Sequence, residues 1–282
     1  MLPPFLNTVS ERTPRRLLWG IAPTGPIHLG YAAHLLVLHL ARSRGTEPVL
    51  LVANYHGYLD TGKSGWAELE ARSQDYARTV RRAGLGDAVI FARDAYRSSG
   101  YFEALLRLSP ALVLGRALEA AGTTLGPDRA APVLSEALYV ATQVLDPWFL
   151  KCDAVLCGMD EQPLYEYGLP LLAATFQFPC LGLYLPMCPG LASAEMHASS
   201  PSSNMIELFM SLDGIRACLE QAVRTDPARL IRWDGYARTV LWPLLAAIDP
   251  ALAKPPGSAG IAAVLGAIAA TQHVLLTGGS RA

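Results

Sequence analysis

Short apolar runs alternate with longer helical patterns through the first third of the chain, and this alternation constrains the fold most. Residues 17–21, 49–53 and 88–91 are short and apolar, as buried strands are. Between them, residues 27–42 and 66–83 show the periodicity of helices. The resulting β-α-β-α-β order predicts an α/β fold with a doubly wound, Rossmann-like parallel sheet.

The rest of the chain predicts two helical additions to this sheet. A group of helical patterns indicates a helical insertion at about residues 98–146. Between Val240 and Ser280 the only Asp, Glu, Lys or Arg residues are Asp249 and Lys254, so we expect a small helical C-terminal cap that packs on the body. The other predicted elements are helices at 100–108, 111–121, 135–145, 164–175 and 214–223, and strands at 154–157 and 181–185.

Composition excludes several classes of protein. The 282 residues are 51% hydrophobic, enough to bury a real core, which excludes wholesale disorder. Lys and Arg number 23 against 24 Asp and Glu, so the basic excess of a dedicated nucleic-acid binder is missing.

We expect a cytoplasmic protein, because the start of the sequence does not resemble a secretory signal and no apolar stretch reaches membrane-spanning length. Its five cysteines suggest buried free thiols, and no metal site is predicted.

One motif fits a phosphate-binding loop by spacing alone. Gly57, Gly62, Lys63 and Ser64 match G-x-x-x-x-G-K-[ST] between a predicted strand and a predicted helix. In such a loop the backbone amides and Lys63 would bind phosphates, and Ser64 would hold Mg²⁺. The intervening Tyr-Leu-Asp-Thr is bulky for this role, so a chance match is the alternative.

A stronger candidate is the segment 22–31, between the first predicted strand and its helix. Its Gly and Pro residues make a tight turn at a helix N-terminus, where backbone N–H groups and the helix dipole attract phosphate. His28 can donate a hydrogen bond to charge developing on an α-phosphate, and Gly30 leaves room for a nucleotide base. The alternative is an ordinary Gly/Pro turn with a capping histidine.

At these residues the chain resembles the class I aminoacyl-tRNA synthetases, specifically the catalytic domain of archaeal and eukaryotic tyrosyl-tRNA synthetases. Pro23-Thr24-Gly25 with His28-Leu29-Gly30 is similar to that family's HIGH motif, whose last position is often aromatic, as Tyr31 is. The resemblance continues in order, with residues 54–60 for D-L-H-A-Y-L-D, 101–108 for a stretch ending in Y-R-L-S, 138–146 for L-Y-P-x-x-Q-x-x-D, 150–153 for L-K-V-D, 158–160 for the ribose-binding G-x-D, and 187–191 for M-V-P-G-L.

The resemblance implies a HUP-type catalytic domain at residues 1–223, a truncated C-terminal region at 224–282, a homodimer, and ATP as cofactor with Mg²⁺ as its complex. Tyr139 and Gln143 would hold the substrate α-amino group, and Asp146 would accept a hydrogen bond from a phenolic hydroxyl. The implied sets are ATP-binding Ala22, Pro23, Thr24, Gly25, His28, Gly30, Gly158, Asp160 and Met196; catalytic His28, Gly30, Tyr31, His197 and Ser199; and substrate-binding Leu18, Gly20, His56, Tyr139, Gln143, Asp146 and Glu161.

The second family signature, K-M-S-K-S or K-M-S-S-S, falls at residues 195–199 and has lost both lysines, one of them to Glu195. In the family these cations stabilise the pyrophosphate leaving group, and their loss costs about several kcal/mol of transition-state stabilisation. A protonated His197 would compensate in part. The alternative is that Glu195 and His197 are solvated loop residues.

The implied amino-acid pocket and RNA contacts also depart from the family. The tyrosine that shares the phenolic hydroxyl falls at Leu18, and the glutamine of G-x-D-Q falls at Glu161. Asp146 still favours a substrate with a polar-tipped or cationic side chain, although Leu18 makes selection of tyrosine less secure. A helix-terminal role for Asp146, before Pro147, is the alternative.

The nearly uncharged C-terminal tail should not bind an anticodon stem, because RNA affinity comes largely from Lys and Arg. Two arginine groups are candidates for an acceptor stem or are simply solvated, namely Arg12, Arg15 and Arg16, and Arg78, Arg81 and Arg82.

We therefore predict a divergent, tyrosyl-tRNA synthetase-like ligase. It would use ATP to convert tyrosine or a related amino acid to an aminoacyl-adenylate, and would transfer the aminoacyl group to a tRNA or a small biosynthetic acceptor. One alternative takes a preformed aminoacyl-tRNA as donor, as cyclodipeptide synthases do, without ATP chemistry. Loss of both loop lysines favours that alternative, and the intact first signature opposes it. A degenerate synthetase retained as a binding module is the other alternative.

Overall fold

Five parallel strands form one sheet at the centre of the protein. The computed structural model describes residues 13–60, 64–98, 100–122, 133–198, 200–252 and 259–278. The strands lie in the order β3-β2-β1-β4-β5. In register, Leu18 of β1 pairs with Val49 of β2 on one side and with Val155 of β4 on the other. The strand bounds are Arg16–Ile21 (β1), Glu47–Val52 (β2), Val89–Phe91 (β3), Ala154–Gly158 (β4) and Leu181–Leu185 (β5).

Helices cover both faces of the sheet, as the alternation of patterns predicts. Among the described residues they are α1 (Ala32–Ser43), α2 (Asn54–Leu59), α3 (Trp66–Arg82), α4 (Ala92–Tyr96), α5 (Tyr101–Leu108), α6 (Leu114–Ala120), α7 (Leu134–Phe149), α8 (Gln162–Phe176), α9 (Leu212–Thr225), α10 (Ala228–Tyr236), α11 (Trp242–Ile248) and α12 (Ile261–Thr277). The Rossmann-like fold class is confirmed by this architecture. No helix in the described ranges is long and apolar enough to cross a membrane.

Two apolar cores lie on opposite faces of β1 and β4 because successive strand side chains point to opposite sides. Trp19 and Leu156 contribute to a large core with α1 and the C-terminal helices. Val155 and Cys157 contribute to a second core with helices α5 to α8, which include the helical insertion. The C-terminal helices thus pack on the body, as their lack of charge predicts. The division at residues 223 and 224 stays a prediction.

Two local differences from the sequence prediction bear on the site. Residues 27–42 are not one helix, because His28 has an extended backbone and caps a short 3₁₀ turn, Leu29–Tyr31, before α1 begins. Helix α7 does not end before Pro147 but continues to Phe149. After it, the Leu150 N–H donates to the Asp146 carbonyl oxygen at 2.9 Å, and the Cys152 N–H donates to the Pro147 carbonyl oxygen. Asp146 therefore lies within the helix rather than at its end.

Candidate active site

The carboxyl ends of β1 and β4 form a cleft at the point where the strand order reverses. From β1 the chain crosses to β2, and from β4 it crosses to β5 on the other side. Open α/β sheets bind ligands at such a switch point, outside the strand ends. A cavity of about 160 Å³ lies there. Its lining brings together these predicted residues: Ala22, Thr24, His28, Gly30, Tyr31, Gly158, Asp160, Met196 and His197.

His28 is held in the cleft as a neutral hydrogen-bond donor. It is 2% exposed, and its Nδ1 accepts a hydrogen bond from the Gly30 N–H at 3.1 Å. Burial, followed by the charges of His197 and His34, lowers the pKa of His28 to about 3. With Nδ1 occupied as an acceptor, the ring proton resides on Nε2, which has no hydrogen-bond partner among the described residues. The turn therefore both caps itself through His28 and leaves a buried, unpartnered donor beside the cleft, so the two sequence interpretations of this residue are compatible.

Glycines allow the segments around this cleft to approach one another closely. A Cβ on Gly25 would lie 1.7 Å from the Ala198 carbonyl oxygen, and one on Gly30 would lie 2.7 Å from the His28 ring. A Cβ on Gly158 would lie 2.3 Å from Asp160 Oδ1. Gly25 and the buried Pro23 are absent from the cleft lining, so they contribute to the shape of the turn and not to its surface.

The loop after β5 brings a histidine and a carboxylate to the open side of the cleft. His197 Nε2 lies 3.1 Å from Glu195 Oε2, and both side chains are close to half exposed. The Met196 N–H donates to the Cys188 carbonyl oxygen at 2.9 Å within this loop, and both side chains are buried in the large core. No lysine or arginine lines the cleft within the described part of the chain. Burial raises the pKa of Asp160, while His197 lowers it and Glu195 raises it.

A second, smaller cavity of about 40 Å³ adjoins the cleft and shares Gly20, Ala22, Tyr139 and Glu161 with it. Gln143 Nε2 donates to Glu161 Oε1 at 2.7 Å, and the buried Gln143 Oε1 has no hydrogen-bond partner among the described residues. All seven predicted substrate-binding residues line this cavity, namely Leu18, Gly20, His56, Tyr139, Gln143, Asp146 and Glu161.

Asp146 uses both of its carboxylate oxygens within the protein. Tyr96 Oη donates to Oδ2 at 2.8 Å, and Tyr101 Oη donates to Oδ1 at 2.9 Å. His56 Nε2 lies 3.7 Å from Oδ2 and 3.1 Å from the Thr142 hydroxyl. Burial raises the pKa of Asp146 to about 8 against the effect of the two hydrogen bonds, and burial lowers the pKa of His56 to about 4. Asp146 therefore already accepts two hydrogen bonds from the protein, one at each oxygen, and each carboxylate oxygen has a second lone pair.

Comparison with known proteins assigns the architecture to a family. The family model for class I tRNA synthetases (W and Y) matches residues 10–265. The chain belongs to this family. The resemblance found in the sequence is thereby confirmed.

Curated relatives of this chain include tyrosine–tRNA ligases. The cytoplasmic enzyme of Xenopus tropicalis is 29% identical over 249 residues, which cover 85% of this chain and 46% of that protein. The enzyme of Haloarcula marismortui is 26% identical over 250 residues, covering 85% of this chain and 71% of that protein. The chain thus spans about half the length of the frog relative.

Solved synthetase structures share the fold. The tyrosyl-tRNA synthetase of Archaeoglobus fulgidus, complexed with L-tyrosine, aligns with a TM-score of 0.73 and 19% identity, covering 98% of this chain and 92% of that chain. The Leishmania major enzyme, complexed with tyrosinol, aligns with a TM-score of 0.74 and 18% identity, covering 97% and 47%. At this identity the likeness speaks for the fold alone.

The synthetase-like site differs from the sequence prediction at its edges. Of the predicted catalytic residues, Tyr31 stacks on His28 with the ring centroids 4.2 Å apart. Ser199 lies outside the described residues. The match to a phosphate loop lies partly outside them, at residues 61–63. Gly57 belongs to helix α2 and its N–H donates to the Ala53 carbonyl oxygen, so this amide is not available to a phosphate.

The sequence interpretation missed Tyr96 and Tyr101 as partners of Asp146. Both follow β3, whose carboxyl end lies at the same edge of the sheet as the two cavities. Aromatic residues just after a predicted strand were the available signal. Their partner Asp146, however, is 50 residues after Tyr96 and 45 residues after Tyr101, a separation that no local pattern reveals.

Proposed function

We propose that this chain activates an amino acid with ATP, forming an aminoacyl-adenylate and pyrophosphate as a synthetase-like ligase. The observation that carries the proposal is His28, a neutral donor whose Nε2 is unpartnered among the described residues and which lines the cleft at the switch point. Such a donor stabilises negative charge that develops on an α-phosphate without requiring a proton from solvent. The smaller cavity opens next to it and provides a place for the second substrate.

In the proposed reaction, a carboxylate oxygen of the amino acid attacks the α-phosphorus of ATP. The bond from the α-phosphorus to the oxygen that bridges to the β-phosphorus breaks, and pyrophosphate leaves with the bond's electron pair. Gln143 Oε1 and the Glu161 carboxylate would hold the substrate α-ammonium group, since one is an unpartnered buried acceptor and the other carries negative charge. Asp160 would bind the ribose and Met196 the base.

The loop after β5 is proposed to assist the leaving pyrophosphate weakly. His197 lines the cleft and is the basic side chain that this loop offers, while Glu195 beside it opposes the negative charge of the leaving group. Mg²⁺ would enter as the ATP complex and offset part of this repulsion. We expect adenylation to be slow for this reason.

We further propose that the protein is a cytoplasmic homodimer that passes its aminoacyl group to a tRNA acceptor end or to a small acceptor. Helices α5 and α7, and the start of α6 with the residue before it, carry apolar side chains that are more than half exposed, and exposed apolar patches are typical of protein interfaces. These side chains are Phe102, Leu106, Val113, Leu114 and Leu134.

The proposal is tested by amino-acid-dependent exchange of pyrophosphate into ATP, measured across the proteinogenic amino acids. We expect exchange with the wild type and a loss of about 10²-fold or more in His28→Ala, the usual effect of removing one such donor. His273→Ala is the matched control, because His273 is exposed on α12 and should leave the rate unchanged. ATP binding without exchange for any amino acid would favour a binding module, and transfer from a preformed aminoacyl-tRNA without ATP would favour the alternative transferase.

A further inference from the structure

We propose that Asn204 and Arg229 are positioning residues for the reaction, because they hold the loop after β5 in the shape that keeps His197 at the cleft. The inference rests on the proposed function, since it assigns roles at the same site. Neither residue is among those that the sequence predicts for the site, and in the described part of the chain neither lines the two cavities. They act on the reaction only through the loop.

Asn204 commits all of its side-chain hydrogen-bonding capacity to this loop. It is 3% exposed and ends a short 3₁₀ turn, Ser202–Asn204. Its Oδ1 accepts hydrogen bonds from the N–H groups of Ala192 at 2.7 Å and Ser193 at 2.8 Å. Its Nδ2 donates to Ser193 Oγ at 2.8 Å and to the Glu195 carbonyl oxygen at 3.0 Å. A buried amide whose two donors and two acceptors are all paired fixes the groups around it.

Arg229 holds the same stretch of the loop from helix α10. Its guanidinium donates to the carbonyl oxygens of Ala192 at 2.9 Å and Ser193 at 3.3 Å. The Arg229 side chain is 13% exposed, and its Nε lies 3.5 Å from Asp226 Oδ2. Residues 192 and 193 are thus bound through their N–H groups by Asn204 and through their carbonyl oxygens by Arg229.

The side chain of His197 depends on this stretch for its position. It lines the cleft, is 42% exposed, and has Glu195 Oε2 at 3.1 Å from its Nε2. The backbone of Glu195 is in turn held by Asn204. A loop that is ordered before ATP arrives does not lose conformational entropy when ATP binds. Asn204 and Arg229 therefore place His197 before the reaction begins.

Met196, although it is next to His197, is held separately. Its N–H donates to the Cys188 carbonyl oxygen, and its side chain is buried in the large core. Loss of Arg229 should therefore displace His197 more than Met196. Because Met196 is proposed to bind the base and His197 to assist the leaving pyrophosphate, the loss should lower kcat and leave the KM for ATP nearly unchanged.

The first experiment measures kcat and the KM for ATP in pyrophosphate exchange, with kcat expressed per ATP-binding site counted by calorimetric titration. We expect Arg229→Ala to lower kcat about fivefold, the effect of one screened ionic contact, and to change KM by less than about twofold. Arg232→Ala is the matched control and should change neither. Arg232 binds the same Asp226 carboxylate at 3.0 Å, and in the described ranges it makes no hydrogen bond to the loop. Equal losses in the two variants would assign the effect to Asp226 and refute the inference.

A double-mutant cycle tests whether Arg229 acts through His197. In a His197→Ala background, Arg229→Ala should change kcat by less than about twofold, because the side chain that it positions is missing. An equal loss in both backgrounds would show a merely structural role and overturn the inference. Asn204→Asp gives a second cycle with the same expectation, since it keeps acceptors for the two N–H groups and removes the donor to the Glu195 carbonyl oxygen.

Hydrogen–deuterium exchange of the peptide at residues 190–198 adds a readout that requires no catalysis. We expect its amides to exchange at least about threefold faster in Arg229→Ala and Asn204→Asp than in the wild type or Arg232→Ala, because the loop opens more often. Unchanged exchange in both variants would contradict the inference and leave the proposed function standing. Absence of pyrophosphate exchange from the wild type would instead contradict the proposed function, and the amide exchange would still decide whether these residues hold the loop.

Discussion

The backbone of Gly25 packs directly against the carbonyl oxygen of Ala198. A Cβ at position 25 would lie 1.7 Å from that oxygen, a distance at which one of the two segments must move. Gly25 belongs to the turn that carries His28, and Ala198 belongs to the loop that carries His197. The two segments proposed to contact ATP are thus coupled through a contact that only glycine permits.

Gly25→Ala should therefore separate these two segments. We expect weaker ATP binding and a decrease of about 1–3 kcal/mol in the free energy of unfolding, the usual cost of overpacking a close contact. Gly65→Ala is the control, because a Cβ there meets nothing within 4 Å and the residue has ordinary backbone angles. Calorimetric ATP titration and urea unfolding measure the two effects. Equal ATP affinities in the two variants would contradict the proposed coupling.

Glu195→Gln should increase the rate of pyrophosphate exchange. The amide keeps an acceptor for His197, 3.1 Å away in the wild type, and removes the negative charge that opposes the leaving pyrophosphate. At this exposure the change is worth about 1 kcal/mol, or roughly fivefold in rate, with a stability change below about 0.5 kcal/mol. Glu220→Gln, at a partly exposed residue of α9 outside both cavities, should leave the rate unchanged. A slower Glu195→Gln enzyme would instead assign Glu195 a supporting role.

Acid should destabilise the protein below pH 6.5. Burial lowers the pKa of His28 to about 3 and those of His34 and His56 to about 4, so the unfolded chain takes up protons there that the folded chain excludes. Asp146 acts in the opposite direction, because its pKa is raised to about 8 and its contribution to stability grows as the pH falls from 8 to 4. These three histidines outweigh Asp146, while His39 and Asp160, whose pKa values burial lowers and raises respectively, act in opposite directions. The net uptake on unfolding is about two protons near pH 5, or about 2–3 kcal/mol per pH unit.

Urea unfolding at a series of pH values tests this balance. The free energy of unfolding should fall as the pH drops from 6.5 to 4.5, and it should fall more steeply in Asp146→Asn, which lacks the opposing carboxyl. An equal or shallower slope in that variant would show that Asp146 is ionised in the folded protein across this range. The comparison uses slopes, since the substitution also disturbs the hydrogen bonds from Tyr96 and Tyr101.

Leu114→Asp should convert the proposed dimer to a monomer. Leu114 is 55% exposed on α6, and helices α5 and α7 of the helical insertion also carry exposed apolar side chains. A carboxylate in an apolar interface would be desolvated without a partner, which opposes association. Leu276→Asp, at a leucine that is 47% exposed on α12, is the matched control. Light scattering coupled to size-exclusion chromatography measures the mass, and a monomeric wild type would refute the proposal.

The sequence predicts most of the scaffold because its strands are short apolar runs between turn residues. β5 has its predicted bounds, and the other strands begin or end within two residues of theirs. The seven predicted pocket residues line one cavity because their positions were taken from family motifs that occur in the same order along this chain. Local patterns failed where one side chain's role depends on a distant partner. The hydrogen bonds of Tyr96 and Tyr101 to Asp146, and the passage of α7 through Pro147, are set by packing between segments.

The most direct test of the account is mass spectrometry of the adenylate that the protein forms. The chain is incubated with ATP, Mg²⁺, inorganic pyrophosphatase and an equimolar mixture of the proteinogenic amino acids, and protein-bound nucleotides are then extracted. We expect an aminoacyl-adenylate from the wild type and its absence from His28→Ala. The absence of any adenylate from the wild type, or an equal amount from His28→Ala, would contradict the proposed activity.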